Sequence, residues 1–226
     1  FWNHLPKPFF VMAPMANVTD AAFRQVVAKR GAPDVFWTEF VLADGMYYTR
    51  EIKKIKDAEN PLLGILAKGD SERPIIAQIF SSKPEMIAYA TKLVAALGFD
   101  GVDINMGCPD RSVERQGAGA ALLKNPILAV TLIRAAKEAS ELPVSVKTRV
   151  GYANESLDEW LTPLLEAAPA AITLHLRTRK EMSLVRANWE LMKKAVAIRN
   201  RVNPKVFLIG NGDLHNIDDA RVKIAE

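Results

Sequence analysis

The chain has 226 residues, 49% hydrophobic, 25% charged and 8% aromatic, with a formal net charge of +4. That balance belongs to a globular protein and excludes a disordered one, and no apolar run approaches the roughly 18 residues a membrane helix needs. A single cysteine, Cys108, excludes a disulfide framework within the chain and any zinc site built from several cysteines.

Phe1 to Pro8 carry aromatic residues and prolines but no signal-peptide pattern, so the chain reads as soluble and cytoplasmic. Thirty Lys and Arg against 26 Asp and Glu permit an anionic partner without requiring one.

Seven short β-rich runs follow one another: Phe9–Ala13, Val35–Glu39, Pro74–Ile79, Gly101–Asn105, Val144–Thr148, Ala171–His175 and Val206–Ile209. They are mostly continuous rather than alternating, the pattern of parallel strands buried on both faces. Helical patterns lie between them. Thr19 or Asp20 can cap a helix that places Phe23, Val26 and Val27 on one face and stops at Gly31. Pro84 suits a first helical turn, with Ile87, Ala90, Val94 and Leu97 at helical spacing and Gly98 at the end. Asn125-Pro126 opens a third helix. Ser156 with Glu159 forms a capping box for a fourth, in which Pro163 predicts a kink or a late start. The charged run Arg50 to Asp57 reads as a solvated helix face or loop.

Strand alternating with helix predicts an α/β fold with a parallel sheet. The strand starts run from residue 9 to residue 206 in six steps of about 33 residues, near the repeat of a (β/α)₈ TIM barrel. A doubly wound sheet would favour a glycine-rich turn after the first strand, and Pro14-Met15-Ala16-Asn17 has no glycine. An eighth strand would begin after residue 226. The chain also starts at Phe rather than Met and stops inside an expected helix. The expectation is therefore one domain over residues 1–226, a TIM barrel lacking its last β/α unit.

In such a barrel, chemistry gathers at the carboxyl ends of the strands. Reading past each strand yields Pro14 and Met15, Glu39, Gln78, Asn105 with Cys108, Lys147 with Arg149, His175 with Arg177, and Asn211-Gly212-Asp213. Each residue alone has an ordinary explanation: a surface lysine, a hydrogen-bonded core histidine, a plain turn. The recurrence of polar and basic groups at six of these seven strand ends is what argues for a site. Cys108 lies on a turn between Gly107 and Pro109 just past a strand, where a thiol can act as nucleophile or proton donor. Gly117 and Gly119 permit a tight turn or a close backbone approach to a ligand, without forming a dinucleotide fingerprint. The loop after the seventh strand, Asn211 to Asp213, occupies a place where barrels often bind phosphate on backbone N–H groups.

The segments Ala13–Arg24 (APMANVTDAAFR), Asp103–Pro109 (DINMGCP), Gly117–Leu123 (GAGAALL), Val146–Arg149 (VKTR), His175–Thr178 (HLRT) and Gly210–Asp213 (GNGD) resemble the tRNA-dihydrouridine synthases, in family order and across nearly the whole chain. The resemblance implies an FMN-dependent barrel that reduces the C5–C6 bond of a tRNA uracil and is recharged by NADPH. Carried over by position, Pro14, Met15 and Ala16 would pass beneath the flavin. Gln78 and Lys147 would bond its ring, His175 its ribityl chain or phosphate, and Asn211, Gly212 and Asp213 its tail. Asn105 would hold the flipped uracil, Arg149 and Arg177 would line the substrate mouth, and Cys108 would protonate C5. Arg179, Lys180 and Arg186 would stand near that mouth. The family usually has glycine where Leu176 stands, and it adds a C-terminal helical domain after the barrel.

Two rival readings use the same residues. One is an FMN barrel acting on a free pyrimidine or small enone; the other is a lyase using Lys147 as a Schiff-base amine. A purely RNA-binding role would leave Cys108 unused.

Overall fold

The computed structural model describes residues 1–225, and the chain divides into two compact units. The first comprises Phe1–Asn105 with Leu132–Val144, and the second Met106–Thr131 with the chain from Ser145 onwards.

The first unit carries β1 (Phe36–Leu42), β2 (Ile75–Phe80) and β3 (Gly101–Met106), the last ending where the second unit begins. β1 pairs parallel with β2 and β2 with β3, placing Phe40 opposite Gln78 and Gln78 opposite Asp103. Every residue of β2 and β3 is buried, as their mostly continuous apolar runs predict, and the polar Gln78, Asp103 and Asn105 are buried with them. Burying Ile75, Ile76, Ile79 and Ile104 stabilises the sheet by about 1.5–3 kcal/mol each. The helix Pro84–Ala96 starts on its proline and buries Ile87, Ala90 and Val94, and Gly98 follows at a φ of +72°. The charged stretch beyond β1 opens in the π-helical segment Tyr48–Ile52 and continues as a loop, with Arg50 paired to Asp57 at 2.9 Å.

Two expectations for this unit need correction. The run Phe9–Ala13 is not a strand: it contributes a single parallel bridge between Val11 and Val35. Asp34 supplies the reason. Its backbone N–H donates to the Phe10 carbonyl at 2.8 Å while its carboxylate accepts the Phe10 N–H at 2.7 Å, so a side chain takes the donor that a longer ladder would use. The helix Ala21–Gly31 is capped by Asp20, which accepts from the Phe23 N–H at 2.7 Å, but its faces are inverted. Phe23 and Val26 are 40% and 60% exposed, and the buried residue is Arg24.

The second unit carries β4 (Val144–Arg149, its first residue belonging to the first unit), β5 (Ala171–His175) and β6 (Phe207–Asn211), again parallel in chain order. The helix Leu157–Glu166 buries Leu157, Trp160, Leu161, Leu164 and Leu165 and packs against the helix Leu191–Val202. Ser156 stands at its N-cap without a side-chain cap bond, so the expected capping box does not form. The Leu157 N–H is taken instead by Glu155 at 2.6 Å. The helix starts at Leu157 and runs through Pro163, with no late start. β6 is half-buried along its length. Among the described residues no helix is long and apolar enough to cross a membrane.

Candidate active site

In the first unit the site residues form a chain of buried amides. Because Gln78 and Asp103 stand opposite each other on β2 and β3, their side chains meet: Gln78 Nε2 donates to Asp103 Oδ2 at 2.7 Å. Asn105 lies two residues beyond Asp103 on the same face, and its Nδ2 donates to Gln78 Oε1 at 3.0 Å. The Thr38 hydroxyl on β1 accepts the Gln78 backbone N–H at 3.1 Å. Gln78 and Asp103 are fully buried, so satisfied bonds hold both side chains in one orientation.

The Pro14-Met15-Ala16 segment of the same unit is braced from behind. Thr19 Oγ1 accepts the Met15 N–H at 3.0 Å, and Arg24 Nη1 donates to the Thr19 carbonyl at 2.8 Å. Arg24 also pairs with Glu72 at 2.6 Å, both side chains fully buried. Asn17, at a φ of +58°, closes the turn and donates its N–H to Glu39.

In the second unit the register sets Arg149, His175 and Asn211 side by side at the carboxyl ends of β4, β5 and β6. Lys147 lies two residues before Arg149, on the same face and opposite Thr173. Burial, followed by the charges of Lys147, Arg149 and Arg177, pushes the His175 pKa down to about 3. The imidazole is neutral at ordinary pH. Arg177 Nη1 lies 3.1 Å from His175 Nε2, and a guanidinium can only donate, so Nε2 is the acceptor and the proton sits on Nδ1.

Arg177 also donates from Nε to the Val185 carbonyl at 2.6 Å, and from Nη2 to both oxygens of Asp213 at 2.6 and 2.8 Å. The Ala187 N–H and the Arg177 guanidinium hold the Asp213 carboxyl below its ordinary range. Trp189 Nε1 donates to the Gly212 carbonyl at 3.0 Å and fixes the rest of that loop. Gly212 has a φ of +131°, and a Cβ there would lie 2.7 Å from Ala187 Cβ. The Leu176 side chain is buried, with its N–H on the Asn211 carbonyl at 3.0 Å.

The Cys108 loop belongs to this unit and is tied down at both ends. Arg149 Nε donates to the Gly107 carbonyl at 2.8 Å, and its Nη1 reaches the carbonyls of Thr178 and Met182 at 3.1 and 3.2 Å. The Ala120 N–H donates to the Cys108 carbonyl at 2.9 Å. Gly119, at a φ of +58°, permits that approach, since a Cβ there would stand 2.8 Å from the Cys108 oxygen. Burial pushes the Cys108 thiol pKa up, against smaller opposing effects of a backbone hydrogen bond at Asp110 and the Arg149 charge. The thiol is therefore protonated at neutral pH.

The structure thus brings Gln78 and Asn105 together in the first unit, and Cys108, Lys147, Arg149, His175, Arg177, Asn211, Gly212 and Asp213 to strand ends and loops of the second. Arg149 and Arg177 are each 6% exposed and committed to protein partners. Three contributors escaped sequence reasoning. Asp103 was visible as a charge inside an otherwise apolar strand. Trp189 and Glu114, which pairs with Arg179, carried no local signal.

The sequence model of the dihydrouridine synthase (Dus) family matches residues 11–226. A probable tRNA-dihydrouridine synthase 2 of Bacillus subtilis is 45% identical over 215 residues, covering 95% of this chain and 64% of that protein. A probable tRNA-dihydrouridine synthase of Staphylococcus aureus is 41% identical, with 95% and 63% covered. The chain thus spans somewhat less than two thirds of the length of these relatives. Among solved structures, morphinone reductase superposes with a TM-score of 0.59 at 12% identity, covering 96% of this chain and 78% of that one, a likeness of fold. The parallel strand–helix order is that of a TIM barrel, and the chain belongs to the dihydrouridine synthase family.

Proposed function

We propose that this chain carries the catalytic chemistry of a tRNA-dihydrouridine synthase, which reduces the C5–C6 bond of a tRNA uridine with FMN as cofactor and NADPH as electron donor. The observation that carries the reading is the protonated Cys108 thiol, half-buried on a loop tied to Arg149 and closed by Gly119. An acid that is still protonated at neutral pH is what the carbon at C5 requires once C6 has accepted a hydride.

The donor set of the second unit fits a flavin. Lys147, the Nδ1–H of neutral His175 and the Asn211 amide come from three adjacent strands, and all can donate to anionic or carbonyl oxygens. Bound reduced FMN would supply the hydride for C6. Lys147 would balance negative charge on the cofactor's polar edge. His175 would orient by hydrogen bonding rather than by charge. Gln78, fixed by Asp103, would bond the ring, and Asn105, fixed by Gln78, would hold the uracil. Pro14, Met15 and Ala16 would contact the cofactor through backbone, and Asn211, Gly212 and Asp213 would form the loop around its tail. Arg149 and Arg177 would act as positioning residues, Arg149 for the Cys108 loop and Arg177 for His175. The uridine must leave its stack to be reduced, so the substrate is a flipped nucleotide in folded RNA.

Cys108→Ala tests the reading. Dihydrouridine formation, followed as a gain of two hydrogens in digested tRNA, should slow by roughly 10²–10⁴-fold while NADPH still bleaches the flavin at the wild-type rate. Unchanged turnover would remove Cys108 from the mechanism.

A further inference from the structure

The arginines that the strand ends single out, Arg149 and Arg177, are each 6% exposed and bonded to protein partners. Arg149 spends its guanidinium on three backbone carbonyls and Arg177 on Asp213, Val185 and His175. Arg179 is taken by Glu114 and by the Pro109 carbonyl. A cation that faces a phosphate has to be solvent-accessible and uncompensated.

Such cations occur elsewhere in the second unit, on the two segments that flank Cys108. A cleft of about 260 Å³ is lined by Arg111, Glu114, Arg115, Ala121, Lys124 and Tyr152. Arg111 and Arg115 are exposed, with no side-chain partner among the described residues. Lys124 is exposed and holds its ammonium 3.7 Å from the centre of the Tyr152 ring, which fixes its position without neutralising it. The one carboxylate of the cleft, Glu114, is already paired with Arg179 through Oε2, so the three cations set the sign of the field.

We propose that this cleft binds a backbone phosphodiester of the RNA substrate beside the reacting nucleotide, with Arg111, Arg115 and Lys124 as its cations. The location is set by the chain, since residues 110–115 follow Cys108 directly and the segment from Gly119 closes on the Cys108 carbonyl. The inference rests on the RNA-directed function proposed above and adds where the backbone is gripped.

The test uses full-length protein carrying Arg111→Ala with Arg115→Ala, or Lys124→Ala. Affinity for tRNA is read by fluorescence anisotropy across a salt series, turnover by dihydrouridine content, and the NADPH half-reaction by flavin bleaching. The expected result is at least a tenfold weaker tRNA affinity in the double variant, with kcat and the NADPH reaction unchanged. The slope of log affinity against log salt should also become shallower, by about 0.7–0.9 for each phosphate no longer neutralised. Unchanged tRNA affinity and salt slope in the double variant would overturn the proposal. So would a raised KM for NADPH with tRNA binding intact, which would give the cleft to the dinucleotide's phosphate. If the wild-type protein forms no dihydrouridine, the reaction proposed above fails, while the anisotropy series still decides the cleft.

Discussion

The two units solve the burial of polar groups differently. In the first, Gln78, Asp103 and Asn105 bond one another, and the lone buried cation, Arg24, is neutralised by an equally buried carboxylate, Glu72. In the second, Arg149 and Arg177 are inserted among backbone carbonyls and a part-exposed Asp213, and His175 is forced neutral between them. Self-satisfied amides hold still and present fixed donors and acceptors. Cations set on carbonyls hold loops in place and create a positive field, which governs the protonation of neighbouring groups.

The largest effect expected from this contrast lies in the first unit. Removing one partner of the buried pair, Glu72→Ala, should lower stability in urea unfolding by about 3–5 kcal/mol, because it strands the Arg24 guanidinium. Asp213→Ala in the second unit should cost distinctly less, since that carboxylate is 33% exposed and Arg177 keeps its carbonyl bond. Equal losses would break the distinction between the two designs.

The next effect is a pH dependence confined to the second unit. Above pH about 6.5 His175 is neutral both folded and unfolded, and contributes no slope. Between 6.5 and about 3 the unfolded chain binds a proton that the folded chain refuses, so stability falls as pH falls through that window. His175→Gln should flatten the unfolding midpoint between pH 7.5 and 5. A wild-type midpoint that is flat over that range would show that the imidazole is not held neutral.

The smallest effect compares two glycines. At Gly64 a Cβ would meet nothing within 4 Å, and Gly64→Ala should stabilise the first unit by about 0.5–1 kcal/mol. At Gly119 the same change drives a Cβ to 2.7 Å from Val113 Cγ1 at a positive φ, so it should destabilise by about 1–3 kcal/mol and slow turnover by shifting Cys108. A neutral Gly119→Ala would mean that the Cys108 loop tolerates movement.

The chain itself determined the strand order and most strand positions, because strands buried on both faces are mostly continuous apolar runs and some helices between them carry a start signal such as Asp20 or Pro84. It also determined which residues stand at the strand ends, and the cysteine motif with its glycine partner was readable without coordinates. Only the tertiary structure decided what those residues face. Phe9–Ala13 forms no ladder because the Asp34 side chain, 24 residues away from Phe10, takes its donor. The helix Ala21–Gly31 turned Arg24 inward because Glu72, 48 residues along the chain, waits there to neutralise it. The sequence places Arg149 and Arg177 at strand ends but not their partners; in the structure their guanidiniums bond protein groups, and Arg111, Arg115 and Lys124 are left exposed beside the cleft. Local sequence specifies periodicity and caps. The partner of a buried charge is set by long-range packing, which no window of neighbouring residues contains.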